Sequence, residues 1–361
     1  MSESVMSQQE RERRVHAVLQ AARRLSDPRD PLGIEARRAL PGATGLSGAS
    51  VELSLVRHLE TSVTSDDLGK LVTRAGSAPR VHVVLSANVF TGVVRAVALA
   101  VAAAPSVMVR PSSREAVLAP LLLRAITELG KEARFELIPT LEPAPGDHVH
   151  VYGRRETIAA IRVGCPADVT VRGHGPGFGI AVVDGATSEA ALLAESLSWD
   201  IVPFDQRGCL SPRLAFVEGS RDDAERFASR LAVELDQREK EVPRGALSEE
   251  ERRDRSLYRR TLQAVGQCHD GVASTVGLDL DPRAMFLPPT GRHLHVVRVA
   301  SADEMERLLV PYRGAITCIG VTEKSSLAAR FATLLPGARI LPIGNMQRPP
   351  LDGPVDLREM V

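Results

Sequence analysis

The stretch of sequence that decides the fold begins at Val81-His-Val-Val-Leu-Ser-Ala-Asn-Val-Phe90 and ends at Ser106-Val-Met-Val-Arg110. Between these two β-rich runs lies an apolar stretch, residues 91–104, long enough for about four helical turns. A strand, a helix and a second strand in this order predict a right-handed βαβ unit. The sequence therefore predicts a parallel sheet.

The same alternation continues towards the C-terminus. The predicted strands are residues 135–139, 149–152, 168–172, 179–183, 213–217, 295–299 and 315–319. The predicted helices are residues 114–129, 156–163, 188–200, 222–235, 302–309 and 325–334. The strands are almost continuously apolar, which is typical of a parallel sheet covered on both faces. Ahead of the first strand, residues 10–25, 33–40 and 50–60 are predicted to be helical.

A chain of 361 residues is too long for one ordinary core. We expect a two-lobed α/β fold in which each lobe is a mostly parallel sheet flanked by helices. The predicted parts are a helical N-terminal segment (1–75), a cofactor-binding α/β domain (76–204), a catalytic α/β domain (205–335) and a C-terminal tail (336–361). The tail is expected to return to the first lobe or to a subunit interface. The charge-rich residues 237–260 are predicted to be a solvated helical insert.

Composition limits the classes of function. The 45 basic residues balance 45 acidic ones, so the basic excess typical of a nucleic-acid surface is absent and no nucleic-acid partner is expected. The four cysteines include no C-x-x-C pair, and no metal site is predicted. The most apolar run is interrupted by Arg95 and is too short to span a membrane. With a polar N-terminus, the chain is expected to be cytoplasmic.

Cys209 lies in the segment Asp205-Gln-Arg-Gly-Cys-Leu-Ser-Pro212. Arg207 and Arg213 are near it in sequence, and positive charge or a helix N-terminus would lower the pKa of the thiol and make it a better nucleophile. The alternative is a buried structural cysteine, which is the commoner role of a single cysteine.

Polar residues follow the first two strands, at the end of a parallel sheet where ligands bind. Asn88 is a candidate donor to an oxyanion, and a helix N-cap is the alternative for it. Arg110 is a candidate phosphate or ribose contact, and Ser113 is expected to cap the next helix. Further along, residues 172–179 alternate glycine with other residues without forming G-x-G-x-x-G. We interpret that loop as backbone approaching a ligand.

Three segments, in this order, resemble the aldehyde dehydrogenase superfamily and most closely its LuxC-like acyl-CoA reductase branch. They are Val109-Arg-Pro-Ser-Ser-Arg114, the Cys209 segment, and Asn345-Met-Gln-Arg-Pro-Pro-Leu-Asp-Gly353. The resemblance extends from about Val81 to the C-terminus. It implies a NAD(P)H-dependent reductase that converts a fatty acyl thioester into an aldehyde.

The resemblance also implies roles for particular residues. Cys209 would attack the thioester and carry the acyl group, and Asn88 matches the Asn of the oxyanion site. The residues implied in cofactor binding are Ser86, Arg110, Ser112, Gly153, Arg154, Gly173, His174 and Gly175. An Arg at position 110 can accommodate NADPH, with NADH as the alternative. The expected partners are an acyl-CoA or acyl-carrier substrate, an acyl-transferring enzyme and a second copy of the chain in a homodimer.

Two departures from the superfamily pattern bear on function. Hydrolytic members have Glu-Leu-Gly-Gly where this chain has Val171-Arg-Gly-His-Gly175, so Arg172 stands in place of the water-activating base. Loss of that base fits a reductase. In the superfamily, a Glu-x-Phe-Gly-Pro segment orients the nicotinamide ribose. That segment has no clear match in this chain around Gly291–His295. Two alternatives stay open: a CoA-acylating aldehyde dehydrogenase that works in the oxidative direction, and a silent scaffold that keeps Cys209 only as an acyl acceptor.

Overall fold

The computed structural model describes residues 6–130, 133–184, 189–283, 285–322 and 327–358 and confirms the two-lobed α/β fold. The first lobe contains a sheet with strand order β3-β2-β1-β4-β5, in which every pair is parallel. Its strands are β1 (Arg80–Val84), β2 (Ser106–Arg110), β3 (Glu136–Leu137), β4 (His148–Tyr152) and β5 (Thr170–His174).

Helices cover both faces of this first sheet. They are α1 (Gln8–Ser26), α2 (Pro31–Thr44), α3 (Gly48–Leu53), α4 (Ser65–Ala75), α5 (Gly92–Ala103), α6 (Leu118–Glu128) and α7 (Arg155–Gly164). Helix α5 is buried at every residue from Val93 to Ala103, because it lies between the sheet and α1. A helix that is apolar all round is expected in such a position. Ser7 and Asp30 cap α1 and α2 by accepting hydrogen bonds from backbone N–H groups.

The second lobe contains a larger sheet with strand order β12-β11-β6-β7-β10-β9-β8, in which only the β8–β9 pair is antiparallel. Its strands are β6 (Phe178–Asp184), β7 (Pro212–Glu218), β8 (Gln267–Asp270), β9 (Thr275–Asp279), β10 (His293–Val299), β11 (Ile316–Val321) and β12 (Arg339–Pro342). Its helices are α8 (Ala190–Ile201), α9 (Arg221–Glu241), α10 (Glu249–Val265), α11 (Ala302–Leu309) and α12 (Leu327–Leu334). Helices α8 and α9 pack on one face, and α11 and α12 pack on the other.

Several predicted elements have different bounds. Helix α6 begins four residues later than predicted, because the Glu115 carboxylate, and not Ser113, accepts from the first N–H groups at 2.8 and 2.9 Å. The predicted solvated helical insert at 237–260 is helical and mostly exposed, but it is not a separate element: it comprises the end of α9 and most of α10, and it buries Arg238, Val242 and Tyr258. Strands β8 and β9 and helix α4 were not predicted. The predicted helices at 188–200 and 325–334 begin outside the described residues.

The chain after β12 runs back over the first lobe. Arg95, almost fully buried in α5, donates to the carbonyl oxygens of Pro349, Pro350 and Gly353 at 2.9–3.0 Å. Its Nε also donates to Glu60 Oε1 at 2.6 Å. One guanidinium therefore joins α5, the loop before α4 and the tail, which explains why a charged residue interrupts an apolar helix.

Among the described residues, no helix combines the length and the apolar character that crossing a membrane requires.

We expect Arg95→Met to lower the free energy of unfolding by about 3–5 kcal/mol, because it leaves a carboxylate and three carbonyls without their buried partner. Urea unfolding of the full chain measures this change. The matched control is Arg124→Met: Arg124 pairs with Glu35 at the surface, and its loss should change the free energy by less than about 1 kcal/mol. Equal stability of the two variants would contradict the role given to Arg95.

Candidate active site

Cys209 follows a turn whose backbone is held in an unusual conformation. Phe204, Asp205 and Gln206 have φ angles of 54°, 49° and 64°, in the left-handed region that non-glycine residues rarely occupy. Each such residue costs on the order of 1–3 kcal/mol, so the surrounding structure must stabilise the turn. Such strain commonly accompanies functional sites.

The first stabilising contact is a buried ion pair. The Asp205 carboxylate is inaccessible to solvent and lies 2.8 Å from Nη2 of Arg292, which is also buried. The second carboxylate oxygen of Asp205 accepts from the N–H of Gly245 at 3.0 Å, and the backbone carbonyl of Asp205 accepts from the N–H of Gly291. All the strong hydrogen-bonding groups of Asp205 are thus used to hold the turn against the second lobe.

Gln206 and Gly208 complete the turn. The Gln206 amide donates to the carbonyls of Pro212 and His293 at 2.7 Å and accepts from the His293 N–H at 2.8 Å. At Gly208, a Cβ would lie 3.3 Å from Val89 Cγ2 and 3.4 Å from Gln347 Oε1. This small residue lets the first lobe, the second lobe and the tail meet beside Cys209.

The two arginines near Cys209 in sequence do not act on its thiol. Arg207 forms a half-buried ion pair with Glu251, with Nε 2.9 Å from Oε1, and Arg213 lies in β7 beside Tyr258. The cations whose charge reaches Cys209 are Arg358 and Arg339. No helix begins at Cys209 either, because the residue lies in a turn that leads into β7.

Burial raises the pKa of the half-buried Cys209 thiol to about 11. The Asp356 carboxylate raises this pKa further, and the Arg358 guanidinium opposes it. The expected lowering of the thiol pKa is therefore wrong for the chain without ligands, because desolvation outweighs the nearby positive charge. The Thr317 hydroxyl donates to the carbonyl oxygen of Cys209 and holds the backbone of the residue against β11.

Asn88 is exposed in the loop after β1, one residue before Val89, whose Cγ2 would lie 3.3 Å from a Cβ at Gly208. Its Oδ1 accepts from Arg114 at 3.3 Å, and its N–H donates to Ser86 Oγ at 3.2 Å. Helix α5 begins at Gly92 with Thr91 as its N-cap residue, so the helix-cap alternative for Asn88 is wrong. The loop therefore brings Val89, the neighbour of Asn88 in sequence, towards the Cys209 turn.

The predicted cofactor residues lie at the carboxyl ends of the first-lobe strands. Arg110 ends β2 and its carbonyl accepts from the N–H of Leu85, while Ser112 Oγ accepts from the N–H of Arg114 at 3.3 Å. Gly153 follows β4, and the exposed Arg154 is the N-cap residue of α7 without a capping side chain. The first N–H groups of α7 therefore remain available to an anion.

The glycines of residues 173–179, in β5, the loop after it and the start of β6, lie close to other protein atoms. A Cβ at Gly173 would lie 2.5 Å from Ile158 Cγ2, and Gly177 and Gly179 meet backbone carbonyls of Ala315 and Leu210. Close packing thus accounts for three of the alternating glycines, and contact of Gly173, His174 and Gly175 with a cofactor stays a prediction. The His174 ring stacks on Tyr152 with centroids 4.4 Å apart, and burial lowers its pKa to about 4.

Sequence reasoning missed the residues that attach the tail to the site. The buried Asp200 of α8 accepts from the N–H groups of Gly344 and Met346, and the Gln347 amide donates to Ser211 Oγ at 3.1 Å. Arg358 donates to the carbonyls of Pro176 and Gly314. The signal in sequence was the resemblance of residues 345–353 to a segment of the family, and it gave no indication of the contacts that the segment makes.

Comparison with known proteins gives a consistent result. The family model "Acyl-CoA reductase (LuxC)" matches residues 66–361, whereas no curated protein matches the sequence. A NAD-dependent aldehyde dehydrogenase from Sinorhizobium meliloti superposes with a TM-score of 0.71 at 16% identity, over 93% of this chain and 74% of that one. An oxidoreductase from Marinobacter aquaeolei superposes with a TM-score of 0.70 at 12% identity, over 93% of this chain and 78% of that one. With the family model covering most of its length, this chain belongs to the LuxC acyl-CoA reductase family.

Proposed function

We propose that Cys209 is the nucleophile with which this aldehyde-forming acyl-CoA reductase accepts the acyl group of a fatty acyl thioester. The observation that carries the proposal is the position of Cys209 after a strained turn, where a Cβ at Gly208 would lie 3.3 Å from Val89 of the first lobe and 3.4 Å from Gln347 of the tail. A structural cysteine would not need a turn of this cost at the junction of two lobes.

In the proposed reaction, the Cys209 thiolate attacks the thioester carbonyl and forms a tetrahedral oxyanion. Asn88 is proposed to donate its amide N–H to that oxygen, since its Oδ1 is already occupied by Arg114. Collapse of the oxyanion expels the CoA or carrier thiolate, which takes up a proton, and leaves the acyl group on Sγ. Because free Cys209 has a raised pKa, its ionisation has to accompany substrate binding.

The first lobe fits a nicotinamide dinucleotide. Arg110 offers a cation for a phosphate group, Ser112 offers a hydroxyl, and the uncapped start of α7 after Gly153 offers free N–H groups. When bound, the nicotinamide supplies the hydride that reduces the acyl-enzyme to the aldehyde. NADPH is the proposed cofactor because Arg110 suits a 2′-phosphate.

Water has to be kept from the acyl-enzyme until reduction. Position 172 carries an arginine, which cannot act as a base at neutral pH. The Asp356 carboxylate, which is close enough to affect Cys209, binds Arg358 through both oxygens at 2.8 and 2.6 Å. Both features favour reduction over hydrolysis. We also propose that the acyl donor is an acyl-CoA or an acyl-carrier thioester, that an acyl-transferring enzyme is a partner, and that two copies of the chain form a homodimer.

We expect Cys209→Ala to reduce kcat/KM for acyl-CoA-dependent NADPH oxidation by at least about 1,000-fold, because the step that forms the acyl-enzyme is lost. The control is Cys268→Ala, a half-buried thiol on β8. It should retain activity close to that of the unmodified chain. Full activity of Cys209→Ala would disprove the assignment of the nucleophile.

We expect Arg110→Gln to lower kcat/KM for NADPH by about 10-fold or more, since a hydrogen bond to a charged group is worth about 1.5–3 kcal/mol. The kcat/KM of Arg110→Gln for NADH should fall much less. Steady-state kinetics with both cofactors measures the ratio, and Ser113→Ala, at an exposed position that caps no helix, is the control. A parallel fall for both cofactors would show that Arg110 does not select the 2′-phosphate.

A further inference from the structure

The turn that carries Cys209 is short and is held through its backbone. The Ser211 N–H donates to the Gly208 carbonyl at 3.1 Å, which places Cys209 and Leu210 at the two central positions of the turn. Behind the turn, the Gly179 N–H of β6 donates to the Ser211 carbonyl at 2.8 Å. These bonds fix the path of the backbone. They leave the Ser211 hydroxyl, which is inaccessible to solvent, to be satisfied by another part of the chain.

The tail supplies the partner of this hydroxyl. Gln347 Nε2 donates to Ser211 Oγ and to the backbone carbonyl of Asp200, each at 3.1 Å. Both N–H groups of the amide are therefore used, which fixes the orientation of the side chain. The amide oxygen faces the start of the turn, because a Cβ at Gly208 would lie 3.4 Å from Gln347 Oε1. One side chain of the tail thus spans the turn from Gly208 to Ser211.

Gln347 is itself placed by a buried carboxylate. The Asp200 side chain, near the end of α8, accepts from the backbone N–H groups of Gly344 and Met346. Gly344 has a φ angle of 93°, in the left-handed region that glycine adopts without strain, and the chain can therefore turn so that both N–H groups reach one carboxylate. The carboxylate thus fixes the residues just before Gln347 relative to α8.

Met346 anchors the same segment on the sheet of the second lobe. Its side chain is buried against two glycines: a Cβ at Gly179 would lie 2.9 Å from Met346 Cε, and a Cβ at Gly320 would lie 2.5 Å from Met346 Sδ. Because neither strand has a side chain at these positions, the thioether packs directly on β6 and β11. Gln347 follows this anchored residue, and its amide therefore reaches the turn from a fixed starting point.

The contacts of the tail divide into two kinds. Those of Met346 and Asp200 attach the tail to the second lobe, whereas those of the Gln347 amide connect the attached tail to the turn that carries Cys209. A thiolate attacks a carbonyl productively only within a narrow range of distance and direction, so a small displacement of the turn would slow the attack strongly. The Gln347 amide is placed to prevent such a displacement.

We propose that Gln347 is a positioning residue for the transfer of the acyl group to Cys209. Its amide, oriented by Asp200, holds residues 208–211 so that Sγ faces the carbonyl of the bound thioester. Gln347 gains and loses no atom in the reaction, and its contribution is to geometry. This inference rests on the proposed function, since it takes Cys209 to be the nucleophile.

The test compares two rates at Cys209 of the full chain: acylation by dodecanoyl-CoA or hexadecanoyl-CoA without NADPH, and alkylation by iodoacetamide. Mass spectrometry of the Cys209 peptide measures both. Acylation needs a fixed direction of attack on a bound substrate, whereas alkylation by a small reagent in solution does not. We expect Gln347→Met, which keeps the length of the side chain and removes its amide, to slow acylation by about 10- to 100-fold. The rate of alkylation should change little.

Two further variants separate positioning from a general loss of structure. Gln237→Met makes the same replacement at an exposed position of α9 and should leave both rates as they are. Ser211→Ala removes the other partner of the hydrogen bond and should also slow acylation. Combining Ser211→Ala with Gln347→Met should slow acylation little more than the stronger single variant does, because both remove the same interaction.

Equal acylation rates for Gln347→Met and the unmodified chain would overturn the positioning role and leave the role of Cys209 intact. A parallel change in acylation and alkylation would also overturn it, because Gln347 would then only maintain the environment of the thiol. If Cys209 of the unmodified chain takes up no acyl group from either thioester, the proposed nucleophile itself is wrong.

Discussion

The placement of Cys209 depends on one buried interaction, the ion pair between Asp205 and Arg292. It holds three consecutive non-glycine residues in left-handed conformations whose combined cost is several kcal/mol. Removing one partner of such a pair typically destabilises a protein by about 3–5 kcal/mol, which is comparable to the cost of the turn. The Gln206 amide adds three hydrogen bonds to neighbouring backbone groups. The turn is therefore over-determined, and the residue that follows it has a fixed position.

That position is a junction of three parts of the chain. The loop after β1 approaches Gly208 through Val89, the tail approaches it through Gln347, and β11 holds the carbonyl of Cys209 through Thr317. Burial at this junction has an electrostatic consequence, because it favours the neutral thiol over the thiolate. In the proposed reaction, substrate binding replaces this environment with one that contains a polarised carbonyl and oriented donors, and the thiolate is required at that step.

Much of the fold follows from the periodicity of the sequence, because the strands are short apolar runs and the helices between them have the length of crossover connections. The contacts of individual charged residues do not follow from this periodicity. Arg207 is two residues from Cys209 but binds Glu251, whereas Arg358 is 149 positions away and acts on the thiol. Asn88 looked equally like a helix cap, and only the position of Thr91 decided between the two. Arg95 interrupts an apolar helix for a reason that lies in the distant tail.

Mass spectrometry of the full chain tests most directly whether Cys209 carries the acyl group. The chain is mixed with an acyl-CoA in the absence of NAD(P)H, so that reduction cannot follow acylation, and is then quenched in acid and digested. We expect one acyl group per chain on the peptide that contains Cys209, and its removal when NADPH is added before the quench. Acylation of Cys165, Cys268 or Cys318 instead, or no acylation under conditions in which the same preparation reduces the thioester, would contradict it.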